Sequence, residues 1–97
     1  MSSILVRDAR PDELDAIGAL MVAAYTEFSP SLPASAWRAY EDEIRDVRQR
    51  LRDSTLIVAE DAGQLRGAVT YYSDAPKETN TPWPASWAVF RLLAVDP

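Results

Sequence analysis

Apolar residues recur along the first half of the chain at intervals of three and four. Leu14, Ile17, Met21, Ala24, Tyr25 and Phe28 share one face of a helix. Arg10-Pro11-Asp12-Glu13 supplies the start: Pro11 suits the first helical position, and the two carboxylates favour the positive end of the helix dipole. Pro30 and Pro33 interrupt the segment beyond Phe28, so this helix is predicted over residues 11–28. A second helix is predicted over 35–51, with Trp37, Tyr40, Ile44, Val47 and Leu51 on its apolar face. Its other face carries Glu41, Asp42, Arg45, Asp46, Arg48 and Arg50. Glu41 with Arg45, and Asp46 with Arg50, are acid-before-base pairs four apart, each contributing about 0.2–0.5 kcal/mol. The remaining segments change period. Residues 3–7 read as a short opening strand rich in branched side chains. Residues 55–60 are a nearly continuous apolar run, 61–64 a turn through Gly63, and 65–73 the partner strand of a hairpin. Pro76, Pro82 and Pro84 make 74–85 a loop, with Trp83 and Trp87 either packing it down or covering a sheet edge. The run 87–95, broken only by Arg91, reads as a final strand.

The predicted fold class is α/β in the α+β sense: β-α-α-β-β-β, a mostly antiparallel sheet with two helices on one face. Short connections between the last three strands favour antiparallel pairing. The strands at 55–60 and 87–95 are apolar on both faces, whereas two helices cover one face. The last strand also has an open edge, which invites pairing with another chain. The expectation is that something further covers this sheet, either a missing portion of the domain or a second copy of the chain.

Composition narrows the chemistry. Among 97 residues there is no Cys and no His. Thiol nucleophiles, disulfides, Cys/His zinc sites and histidine-based triads are excluded on that ground. A carboxylate-only metal site stays open, but no calcium-loop spacing is present and no metal ligand is assigned. The net charge of −5 and the lack of a basic cluster argue against nucleic acid as a partner. An acidic surface is compatible with a cationic substrate such as an amine. Residues 1–9 contain Arg7 and Asp8, and no apolar run approaches the roughly 18 residues of a membrane span, so a cytoplasmic location without membrane attachment is expected.

Three segments carry a family resemblance. Residues 4–14, Ile4 to Leu14, form a strand running into a helix start. Ile57-Val58-Ala59-Glu60 turns through Gly63 into Gly67-Ala68-Val69. Ala88-Val89-Phe90-Arg91-Leu92-Leu93-Ala94-Val95-Asp96-Pro97 is an apolar strand leading into a Leu-x-Val-x-Pro pattern. Together they resemble the first four strands and two helices of the GCN5-related N-acetyltransferases (GNAT), over essentially the whole chain. The resemblance implies that residues 1–97 are the N-terminal half of such a domain. It would end before the glycine loop whose backbone N–H groups bind the pyrophosphate of acetyl-CoA.

The resemblance also implies a chemistry, with acetyl-CoA as co-substrate. A small-molecule or peptide amine attacks the thioester carbon directly, and the site must take a proton, align the reactants and stabilise an oxyanion. By position, the backbone of Leu93, Ala94 and Val95 would bind the pantetheine arm and polarise the thioester carbonyl. Substrate-side candidates are Tyr25, Phe28, Trp37 and Tyr71, although each reads first as core or rim packing. Tyr71 and Tyr72 are adjacent in a strand, so only one of them can face the groove. Glu60, at the end of its strand, is the base candidate, with Asp74 beside it; a solvated strand end accounts for either. The cluster Glu41-Asp42-Glu43 reads as a solvated helix face. Without the pyrophosphate loop, the isolated chain is expected to be inactive and to exist as a homodimer or with a companion C-terminal half. The alternative is a non-catalytic module that self-associates or binds a protein partner.

Overall fold

The computed structural model describes residues 4–78 and 82–96. Residue 3 of the predicted opening strand, 79–81 of the predicted loop and Pro97 lie outside the described residues. Four strands form one antiparallel sheet in the order β1-β2-β3-β4: β1 (Ile4–Asp8), β2 (Thr55–Asp61), β3 (Gln64–Tyr72) and β4 (Val89–Val95). Helices α1 (Leu14–Tyr25), α2 (Ala34–Arg45) and α3 (Val47–Arg50) pack on one face of it. The α+β layout and the antiparallel hairpins therefore agree with the sequence pattern.

The helix boundaries differ from it for local reasons. The first helix opens with a 3-10 turn, Pro11–Glu13, and passes after Tyr25 into a second one, Thr26–Ser31. Here the Thr26 hydroxyl donates to the Val22 carbonyl at 2.6 Å, and Pro30 has no N–H to give a continuing α-helix. The predicted second helix breaks at Asp46, whose backbone (φ −81, ψ 68) leaves the helical region while its carboxylate accepts from the Gln49 N–H. The break rewrites the expected ion pairs. Glu41 and Arg45 do pair, at 3.1 Å. Arg50 turns away from Asp46 and donates instead to the carbonyls of Glu43 and Ile44. The final strand starts at Val89 rather than 87, because the Trp87 N–H closes a turn onto the Pro84 carbonyl. The Trp87 carbonyl in turn accepts from Ala75, and the Trp83 indole donates to Glu78 at 2.8 Å, so both tryptophans hold the loop down.

The core lies between the helices and the sheet. Ile17, Met21, Ile44, Val47 and Val58 are almost fully buried, with Leu14, Leu56, Ala68, Leu92 and Ala94 around them. Each large side chain of this set contributes about 1.5–3 kcal/mol by leaving water. Burial on both faces of β2 and β4 is not met by these residues alone, and the face that two helices cannot cover stays open. The register puts Ile4, Val6, Ile57, Ala59, Val69, Tyr71, Phe90 and Val95 on the face away from the helices. Of these, Ile4, Val6, Phe90 and Val95 are 62–67% exposed. Among the described residues nothing packs over that face, which is why the apolar alternation fails to produce a second buried layer.

Candidate functional site

The C-terminal end of β4 and the end of α1 frame a recess of about 380 Å³, lined by Ala24, Tyr25, Glu27, Phe28, Leu93, Ala94 and Val95. Its geometry starts in the β3–β4 ladder. Ala68 pairs with Ala94 and Thr70 with Arg91, so Leu92 and Leu93 together stand opposite the single residue Val69. This is a β-bulge, and Leu92 takes the left-handed backbone it requires, at φ 56. A branched side chain in that region is strained. The burial of Leu92 in the core holds it there. The bulge turns the Leu93 carbonyl toward α1, where the Tyr25 hydroxyl donates to it at 2.9 Å. Burial raises the Tyr25 pKa above its ordinary value, with Tyr40 adding to the effect and Arg91 opposing it. The phenol therefore stays protonated and remains a donor.

An aromatic chain extends from this point. Tyr25 lies 6.1 Å from Phe28 and 6.3 Å from Tyr40 between ring centroids, and Tyr40 stands edge-on to Trp37 at 6.3 Å. The structure thus brings together Tyr25, Phe28, Leu93, Ala94 and Val95, with Trp37 linked through Tyr40. It does not bring Tyr71 to them. Tyr71 sits on the open face against Phe90, 4.9 Å between centroids, because alternation assigns the helix side to its neighbour Tyr72. Glu60 is placed elsewhere as well. One of its carboxylate oxygens accepts from Arg7 Nε at 2.8 Å, while the two Nη groups of Arg7 hold Glu13 at 2.8 and 2.7 Å. Asp74 stays exposed beyond β3, its carbonyl accepting from the Lys77 N–H.

Two residues escape a reading of the sequence alone. Glu27 is the carboxylate that lines the recess, and it comes only two positions after the predicted Tyr25. Glu43, readable as part of a solvated face, instead pairs with Arg91 at 2.9 Å across the helix–sheet junction. Arg91 interrupting an apolar strand is the available signal for such a partner. Among the described residues no group of three or more carboxylates could hold a metal ion, and no helix is long and apolar enough to cross a membrane.

The fold has solved counterparts. A GNAT family acetyltransferase from Brucella melitensis, solved in complex with acetyl-CoA, superposes with a TM-score of 0.66 at 17% identity over 98% of this chain. A GCN5-related N-acetyltransferase from Ralstonia eutropha JMP134 superposes at 0.65 with 21% identity, again over 98%. The chain has a GNAT-like fold. It spans 56% and 63% of the length of those two proteins. No family model and no curated protein sequence matches it. Within the GNAT-like fold, the bulged β4 is an edge strand of the described sheet, so one of its sides has no strand neighbour among the described residues.

Proposed function

We propose that this chain belongs to an acetyl-CoA-dependent N-acetyltransferase and carries the side of the site that holds the thioester and the acceptor amine. The observation behind the proposal is the β4 bulge at Leu92–Leu93 on an open edge, facing the recess at Tyr25. An amide-bearing arm such as pantetheine can pair with the backbone of Leu93, Ala94 and Val95 as an added strand would. Acetyl-CoA supplies the acyl group; the amine nitrogen bonds to the acyl carbon, the C–S bond breaks, and coenzyme A leaves as its thiolate and takes a proton from water. Tyr25 fixes the Leu93 carbonyl, and with it the bulge that aligns the two reactants. Phe28 and Trp37 form apolar walls for the acceptor. Glu27 attracts its ammonium and takes the released proton directly or through water. Glu60 has a structural role in this reading, because Arg7 holds it.

The chain's three glycines serve other purposes. Gly63 occupies the hairpin turn at φ 79, Gly18 lies within α1, and a Cβ added at Gly67 would come within 3.1 Å of the Ala94 carbonyl oxygen. None of them builds a pyrophosphate cradle, so these 97 residues alone should bind acetyl-CoA weakly and turn it over poorly. A nitrogen-15 NMR titration with acetyl-CoA tests the assignment. The amides of Leu93, Ala94 and Val95 and the neighbours of Tyr25 should move first, with millimolar saturation. Saturation that leaves these amides unmoved rules the assignment out.

A second reading rests on the open face. Exposed Ile4, Val6, Phe90 and Val95 form one apolar surface with Tyr71. Surfaces of this kind mark association sites. Here the chain would act as a non-catalytic module that pairs with itself or with a companion segment completing the fold.

A further inference from the structure

A second recess, of about 350 Å³, lies where the end of β3 meets the start of β4, with Arg91 in its lining. Charged side chains of both signs line it, and most of them have partners. Arg91 is paired with Glu43 at 2.9 Å and lies 3.8 Å from Glu78, which also accepts from the Trp83 indole. Lys77 and Asp53 approach to 4.0 Å. The Asp46 carboxylate caps α3.

Arg50 is the exception. Its guanidinium is half buried and its hydrogen bonds go to neutral groups, the carbonyls of Glu43 and Ile44 and the Met21 sulfur, while the Glu43 and Asp46 carboxylates and the Arg91 cation act on it through space. Its Nε–H is buried with no acceptor among the described residues. A desolvated cation is costly, and so is an unsatisfied donor. Burial accordingly holds its pKa below the ordinary value. Beside it, Tyr72 is only 5% exposed and lines the recess. A phenol hydroxyl at a recess wall can donate to an acceptor bound there. Arg52 adds a second cation at the rim.

We infer that this recess binds the oxyanion of a small ligand, a carboxylate or a phosphate, with Arg50 as counter-ion and the Tyr72 hydroxyl as hydrogen-bond donor. The cavity volume suits a small metabolite rather than a macromolecular segment. The inference does not depend on acetyl transfer, since neither Arg50 nor Tyr72 lines the recess at Tyr25. It shares with that reading only the position of Arg91 between the two.

The test is a nitrogen-15 NMR titration of the chain with inorganic phosphate and, separately, with succinate, against chloride at matched ionic strength. At least one oxyanion should saturate in the millimolar range and shift the Arg50 Nε–H signal and the amides around Tyr72. Saturation by phosphate alone assigns a phosphate ester, and by succinate alone a carboxylate. Tyr72→Phe should weaken that binding about ten- to a hundredfold, the effect of one hydrogen bond to a charged group. Arg50→Gln should abolish it; because Arg50 also ties down two carbonyls, Tyr72→Phe stands as the independent check if that variant unfolds. Failure of both oxyanions to saturate, an equal response to chloride, or unchanged binding by Tyr72→Phe would overturn the inference.

Discussion

Arg7 shows how a single side chain decides the fate of two others. Its three nitrogens engage Glu13 and Glu60, tying the start of the first helical segment to the β1–β2 edge. The hydrogen bonds from Arg7 and from the Arg10 backbone lower the Glu13 pKa from 4.5 to about 2. A carboxylate depressed in the folded state stabilises the fold above its unfolded pKa and loses that contribution as pH falls through the folded one. Acid titration followed by circular dichroism should therefore show stability declining between pH 4.5 and about 2. Arg7→Gln should flatten this limb. Tyr25 gives a second prediction at this scale. Tyr25→Phe removes the donor to the Leu93 carbonyl and should cost about 1 kcal/mol in urea unfolding. If the bulge aligns the reactants, the same variant also weakens the acetyl-CoA response at Leu93 and Ala94. Glu60 is visible in the sequence only as a strand-end carboxylate. Its partner is 53 residues away, a distance that no local pattern reports.

Among the elements, α1 and α2 meet closely because of one glycine. Gly18 stands in the middle of α1, where alanine would add about 1 kcal/mol of helix propensity. A Cβ there would come within 2.9 Å of the Arg45 carbonyl, which is backbone and cannot swing aside. Gly18→Ala should thus destabilise the protein by about 1–3 kcal/mol despite its better propensity, as measured by thermal or urea unfolding. The amphipathic pattern of α1 translates directly into structure, since Leu14, Ile17 and Met21 are buried as their spacing requires. The break at Asp46 is invisible to that pattern. Periodicity continues across it through Val47 and Leu51, and only the backbone angles at Asp46 separate α2 from α3. Neither recess is legible in the sequence either, since each is assembled from elements distant in the chain.

For the whole molecule the open sheet face is the dominant feature. With Ile4, Val6, Phe90 and Val95 exposed beside Tyr71, the chain should self-associate with rising concentration in sedimentation velocity. Phe90→Lys, which places a charge on that face at the β4 edge without touching the core, should shift the distribution toward monomer. Sedimentation as a monomer at every concentration would rule out a self-associating module. The Brucella and Ralstonia structures extend beyond the portion that this chain matches. Their likeness concerns the fold, and the proposed chemistry stands on the bulge and its recess.

The order of elements, the antiparallel hairpins and the apolar faces of the helices were determined by the sequence itself. Each depends on contacts or periodicities within a few residues. The same is true of the excess apolar surface: its presence is evident from strands 55–60 and 87–95. The tertiary structure alone decided which side of the sheet stays open and that Tyr72, not Tyr71, turns inward. It also decided that Arg50 abandons Asp46 for buried carbonyls, and that β4 bulges at Leu92 against Tyr25. Those outcomes depend on strand register and on the position of α1 over the sheet. Both are set by packing between segments far apart in the chain, where one residue of slip reverses every side chain.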